Sequence, residues 1–146
     1  MKRNQWLIVG IGLIVVLIAG VLVMNQGDSD NANGDTVAGF VEPGIIQASA
    51  YLQQFTSPGV DHYLVDVRTP EEFASGHIEG AVNIPVDVLN QYISQLPTDQ
   101  PIVVYCRSGN RSATAVDILE NAGLTNVYDI QGGTNSWTSQ GLPLQN

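Results

Sequence analysis

The chain has a single cysteine, Cys106, at the head of the segment Cys106-Arg107-Ser108-Gly109-Asn110-Arg111-Ser112. An apolar pentapeptide, residues 101–105 (PIVVY), precedes it, and a helical pattern starting near Ser112 follows. A short connection from a strand end to a helix start turns successive backbone N–H groups inward and forms a cradle for an anion. Gly109 supplies the backbone freedom that so tight a curve needs. Arg107 and Arg111 add two guanidinium charges. Helix dipole, N–H groups and arginines all favour thiolate over thiol, so the pattern predicts a lowered pKa at Cys106. A thiolate centred in an anion cradle is a nucleophile suited to an anionic or sulfur-bearing substrate. Cys106 is therefore the candidate catalytic residue. Arg107, Ser108, Gly109, Asn110, Arg111 and Ser112 are the candidate substrate-binding residues.

A lone cysteine can neither close an intrachain disulfide nor build the usual multi-cysteine metal site. The sequence calls for no metal and no cofactor. Asp66 and Arg68 flank a second strand end and are candidates for a layer of support behind the loop, although such neighbours more often form a structural ion pair. His77 is a candidate acid–base group, since histidine as a residue type titrates near neutrality, but it sits in a Gly-His-Ile-Glu-Gly turn that gives it a structural reading. His62 has no motif around it and reads as a surface residue, and Trp137 reads as a core or rim aromatic.

The elements that would position Cys106 alternate between two kinds. Residues 63–67 (YLVDV), 81–84, 101–105 and 126–130 read as strands. Residues 46–55 have a helical look, and Val86, Leu89, Tyr92, Ile93 and Leu96 share one helical face. Thr69-Pro70-Glu71-Glu72 gives a helix start with Thr69 as N-cap, Pro70 at the first helical position and Glu72 completing a capping box. Residues 112–121 form a helix that Gly123 should stop, and 134–139 form a last short one. Strands alternating with helices predict an α/β fold, a small, mainly parallel sheet covered by helices on both faces.

Before this domain, residues 6–24 form an unbroken uncharged run preceded by Lys2 and Arg3. As a helix the run would extend roughly 28 Å, close to the hydrocarbon core of a bilayer. Cationic flanks stay in the cytoplasm, which sends the remainder across the membrane. A cleaved signal segment has the same charge order, but its apolar part is shorter and ends in small residues. The ending Val21-Leu22-Val23-Met24 is a poor cleavage site. The expected organisation is a membrane anchor or signal segment at 1–25, a flexible acidic linker at 26–36 and the folded domain at 37–146, outside the cytoplasm. Asn110-Arg111-Ser112 also spells a glycosylation sequon that would block the loop, which favours a bacterial envelope over a eukaryotic secretory route.

After the apolar run come three arginines, no lysine and all 14 acidic residues, a net charge of −11. Such a field disfavours phosphate backbones, and no nucleic-acid partner is expected.

The loop CRSGNRS resembles the active-site loop of rhodanese-like sulfurtransferases. Three further blocks resemble that family in the same order. They are Asp66-Val67-Arg68 with Glu71-Glu72-Phe73, then Gly76-His77-Ile78-Glu79-Gly80-Ala81 with Asn83-Ile84-Pro85, and finally Gly132-Gly133 through Trp137 to Gly141-Leu142-Pro143. The family commonly has proline where this chain has Glu79. The resemblance covers most of the chain beyond the apolar run. It implies a thiol that accepts a sulfane sulfur from a small anion such as thiosulfate and passes it, through a Cys106 persulfide, to cyanide or to a thiol or thiol protein.

Three other functions fit parts of the pattern. Cysteine phosphatases and arsenate reductases place arginine six positions after the cysteine, whereas Arg111 lies five positions after Cys106 and position 112 is serine. The shorter loop suits a single sulfur better than a tetrahedral phosphate. A non-catalytic binding module would not need Cys106 with both arginines. A persulfide carrier or redox sensor would use the same residues and differ only in the acceptor.

Overall fold

The computed structural model describes residues 42–146. The anchor and linker expected at 1–36 lie outside the described residues. Among the described residues no helix is long and apolar enough to cross a membrane.

The chain opens with strand β1 (Gly44–Ile46) and helix α1 (Ala48–Tyr51), which widens into a π-type turn at Leu52–Thr56. Strand β2 (Tyr63–Asp66), helix α2 (Pro70–Ala74) and the short β3 (Val82–Asn83) follow. Two 3-10 segments, Val86–Gln91 and Ile93–Gln95, then lead to β4 (Ile102–Tyr105), α3 (Asn110–Asn121), β5 (Val127–Ile130) and α4 (Gly133–Ser139). The strands form one sheet in the order β1-β5-β4-β2-β3, with every neighbouring pair parallel. The α/β class and the parallel sheet are those expected.

The central strand β4 shows how the sequence produces two cores. Side chains alternate across a sheet, so Val103 and Tyr105 join one face while Ile102, Val104 and Cys106 join the other. The first face is covered by Ala48, Tyr51 and Phe55 of the opening helical stretch and by Trp137 of α4. The second is covered by Leu89 of the first 3-10 segment and by Ala115 and Leu119 of α3. Burial on both faces explains why residues 102–105 are uninterrupted apolar positions.

Three sequence readings need correction. A fifth strand, β1, stands at the sheet edge, where a three-residue run beginning with glycine is too short to show a period. The face at 86–96 is built from two 3-10 segments with a break at Tyr92. Val86–Leu89 and Ile93–Leu96 each have the three-residue spacing that tighter winding aligns. Helix α3 begins at Asn110, two residues before Ser112, because Gly109 adopts a left-handed φ of 105° and its carbonyl already accepts from the Ala113 N–H at 3.0 Å. The α2 start is as read. The Thr69 hydroxyl accepts from the Glu72 N–H and the Glu72 carboxylate accepts from the Thr69 N–H.

Candidate active site

Cys106 is the first residue beyond β4, at the carboxyl end of the sheet, where open α/β sheets hold their ligands. It is 1% exposed and lies beneath the exposed Arg107, Ser108 and Asn110. Its Sγ accepts a hydrogen bond from the Gly109 N–H at 3.1 Å and faces the Ser112 hydroxyl at 3.6 Å. The backbone N–H groups of Ser108 and Ser112 also favour its thiolate. Burial pushes the thiol upward and is the largest single influence. The Ser112 hydroxyl and the three N–H groups together outweigh it, and the thiol is held below its ordinary value. Since α3 starts early, Asn110, Arg111 and Ser112 belong to its first turn, and Ser112 is buried.

The arginines stand differently from each other. Arg107 is exposed and forms no ion pair among the described residues. Arg111 turns to Glu72 and forms a bidentate pair, Nη1 to Oε2 at 2.6 Å and Nη2 to Oε1 at 2.9 Å. The Arg111 guanidinium holds the Glu72 carboxyl down at about 2, with burial opposing and the Thr69 N–H assisting. The sulfur is therefore held chiefly by N–H groups and a hydroxyl, while the charge of Arg111 acts from further away and is matched by a carboxylate. Glu72 went unnoticed as a site residue because the capping box already accounted for it.

The loop is also clamped from outside. The Thr134 N–H donates to the Cys106 carbonyl at 2.9 Å and the Asn135 N–H to the Arg107 carbonyl at 3.0 Å. This seats the start of α4 directly on the loop. Gly133, with φ of 55°, permits the approach, since a Cβ there would stand 2.1 Å from the Cys106 carbonyl oxygen.

Asp66 and Arg68 form a buried ion pair. Arg68 Nη2 donates to Asp66 Oδ2 at 2.6 Å and to the Gly76 carbonyl at 2.7 Å, while Nε donates to both carboxylate oxygens. The guanidinium also lies 5.9 Å from the centre of the Tyr105 ring. Burial and the neighbouring Asp66 charge push the Tyr105 hydroxyl upward, and it stays protonated. The pair makes no hydrogen bond to the Cys106 loop and ties the end of β2 to the turn at Gly76. His77 donates from Nδ1 to the Phe73 carbonyl at 3.1 Å and stacks on the Phe73 ring at 3.8 Å.

His62 is a correction. It is half-buried, 2.9 Å from the Tyr51 hydroxyl and 2.7 Å from the Val60 carbonyl, and packs on the rings of Tyr51 and Phe55. These residues and Trp137, which donates from Nε1 to the Pro143 carbonyl at 2.9 Å, line a concavity of about 510 Å³. That cavity shares no residue with the Cys106 loop and contains no cysteine, so thiol chemistry belongs to the smaller loop. Among the described residues no cluster of His, Cys, Asp and Glu could hold a metal ion.

A parallel α/β sheet that presents a thiol ringed by N–H donors beyond its central strand defines a cysteine-nucleophile domain. Residues 47–140 match the rhodanese-like domain, and the chain belongs to that family. It is 38% identical over 96 residues to a sulfurtransferase of Allochromatium vinosum, covering 66% of this chain and 90% of that protein. It is 43% identical over 96 residues to thiosulfate sulfurtransferase 16 of Arabidopsis thaliana, covering 58% of this chain and 80% of that protein. Among solved structures it is similar to a rhodanese-related protein of Thermoplasma volcanium, with 35% identity, TM-score 0.62 and coverage of 68% of this chain and 95% of that one. It is also similar to a Rhodopseudomonas palustris protein of unknown function described as a possible tyrosine phosphatase, with 28% identity, TM-score 0.64 and coverage of 70% and 85%. At the level of the family, the chemistry is that of a sulfurtransferase.

Proposed function

We propose that the protein moves a sulfane sulfur from a small anionic donor such as thiosulfate to a thiol or thiol-protein acceptor, through a persulfide on Cys106. The thiolate attacks the outer sulfur of thiosulfate. A new S–S bond forms, the bond to the sulfonyl sulfur breaks with its electron pair, and sulfite leaves. An acceptor thiolate, or cyanide in an assay, then takes the outer sulfur and restores the Cys106 thiolate. Charge and atoms balance in both steps, and no cofactor is needed.

One observation carries this reading. Cys106 Sγ is met by the Gly109 N–H and the Ser112 hydroxyl in a buried loop whose net effect is to favour thiolate. The same donors can hold a persulfide anion as it replaces the thiolate. A five-position spacing from Cys106 to Arg111, with Arg111 committed to Glu72, argues against a phosphatase reading despite the likeness to a protein described in those terms. The test is thiocyanate formation from thiosulfate and cyanide, which should be sustained by the wild type and absent in Cys106→Ser. Release of phosphate from an aryl phosphate with no thiocyanate would overturn the assignment.

We further propose that residues 6–24 anchor the domain on the extracytoplasmic side of a membrane, on the strength of their length and the flanking Lys2 and Arg3. Retention of the full chain in carbonate-washed membranes, with the domain open to protease from outside, supports this. A protein found only in the wash contradicts it.

A further inference from the structure

Among the described residues the arginines are Arg68, Arg107 and Arg111, and there is no lysine. Two of the three are matched by carboxylates. Arg68 Nη2 meets Asp66 Oδ2 at 2.6 Å, and Arg111 Nη1 meets Glu72 Oε2 at 2.6 Å. Arg107 alone keeps its charge uncancelled, and it is exposed on the loop that covers Cys106. Glu71, next to Glu72, is exposed as well, and water and salt screen it.

Glu72 is fixed from two sides. Its Oε2 accepts from the Thr69 N–H at 3.1 Å in the α2 cap, and both its oxygens accept from the Arg111 fork. A bidentate fork holds position as well as charge. Arg111 stands in the first turn of α3, next to Ser112, whose hydroxyl faces Cys106 Sγ at 3.6 Å. The Glu72 carboxylate is thereby held at the edge of the thiol loop. Each partner is about a third exposed, so solvent screens the pair only in part. With its carboxyl held down at about 2, Glu72 is ionised at every pH where a thiolate forms. A full negative charge is thus built in beside a site that receives anions.

We propose that Glu72 is a specificity-determining residue: by cancelling Arg111 it sets the Cys106 loop to prefer singly charged donors over dianions. With both ion pairs neutral, the single charge of Arg107 balances the Cys106 thiolate, and the loop offers a second negative charge on the donor nothing to offset it. A unit charge at the edge of a partly screened site changes the interaction by roughly threefold for each unit of donor charge. The donor preference rests on the sulfur-transfer reading, whereas the charge filter itself does not.

The test compares thiosulfate with methanethiosulfonate, in which a methyl group replaces one oxygen and removes one charge. In both, the thiolate attacks the outer sulfur and the bond to the sulfonyl sulfur breaks with its electron pair; sulfite leaves in the first case and methanesulfinate in the second. Glu72→Gln keeps the shape of the side chain and the α2 cap, and should raise the ratio of kcat/KM for thiosulfate over methanethiosulfonate by roughly threefold. Arg111→Gln leaves Glu72 uncancelled and should lower the ratio, and the double variant should return it close to the wild-type value. A merely structural role would depress both donors together and leave the ratio where it was. Alkylation of the single cysteine in the full chain gives the same comparison without sulfur transfer. The rate with iodoacetate over that with iodoacetamide should follow the same order, and the pH midpoint of iodoacetamide alkylation should fall by about half a unit in Glu72→Gln. Ratios unmoved or lowered in Glu72→Gln, or a double variant displaced as far as a single one, overturn the proposal. A wild type that turns over neither donor while the alkylation ratios move as stated would defeat the enzyme assignment and leave the charge filter standing.

Discussion

Alanine at Gly133 should damage the site more than alanine at any exposed turn glycine, and the structure gives the reason and the scale. The new Cβ would stand 2.1 Å from the Cys106 carbonyl oxygen, 2.7 Å from its carbon and 3.0 Å from the Arg107 carbonyl carbon, all of them backbone. No rotamer change relieves such contacts, so α4 and the loop must separate by roughly 1 Å to restore van der Waals distance. The bonds from the Thr134 and Asn135 N–H groups at 2.9 and 3.0 Å would stretch or break. Left-handed backbone costs alanine about 1–2 kcal/mol, and each lost hydrogen bond about 0.5–1.5 kcal/mol. The expected loss is about 2–5 kcal/mol, a large share of the roughly 5–15 kcal/mol that holds a domain together. Gly141 is the control, with φ of 74° and nothing within 4 Å of an added Cβ, so its alanine variant should lose only the backbone component. Urea unfolding of both variants measures the difference, and the alkylation midpoint of Cys106 reports whether the loop opened. Equal losses in the two variants, with an unmoved midpoint, would refute the idea that the close seat of α4 holds the loop.

Other outcomes follow from the buried charges. Asp129 has a folded-state pKa raised from 3.8 to about 6, so the native state binds its proton more tightly and stability falls as pH rises through that window. Asp129→Asn should therefore gain up to about 3 kcal/mol at pH 7.5 and almost nothing near pH 3.5, by urea unfolding at both; a gain independent of pH would contradict it. Glu72 is shifted the other way, from 4.5 to about 2, so its ion pair stabilises the fold above about pH 4.5 and is lost as pH falls toward 2. Glutamine at 72 can still cap α2, and because both partners are about a third exposed the loss at neutral pH should be only about 1 kcal/mol, vanishing near pH 2. The net charge of −11 beyond residue 24 repels an anionic donor over long range, so moderate salt should lower the apparent KM for thiosulfate. A KM that only rises with salt would show that local cations dominate.

The sequence made legible what local chemistry encodes. Residues 102–105 read as a central strand, Thr69-Pro70-Glu71-Glu72 as a helix start, and a cysteine between strand and helix beside Gly109 as the candidate nucleophile. What it hid depends on tertiary placement. Glu72 meets Arg111 across 39 residues, and nothing local separates that role from capping. Asp129 lies in Val127-Tyr128-Asp129-Ile130, where only the pleat and the packing of α3 decide that its carboxyl is buried. Arg111 reads as a cradle cation by spacing, and its pairing with Glu72 is a tertiary contact that spacing does not reveal. Gly44–Ile46 was invisible as a strand because its partner β5 is some 80 residues away.

The central claim is a persulfide on Cys106, and intact-mass spectrometry of the reduced, folded chain after incubation with thiosulfate tests it most directly. The wild type should gain the mass of one sulfur atom, lose it on addition of cyanide, and show no gain as Cys106→Ser. A folded, reduced wild-type protein that gains nothing, or gains the same mass without Cys106, would contradict the account.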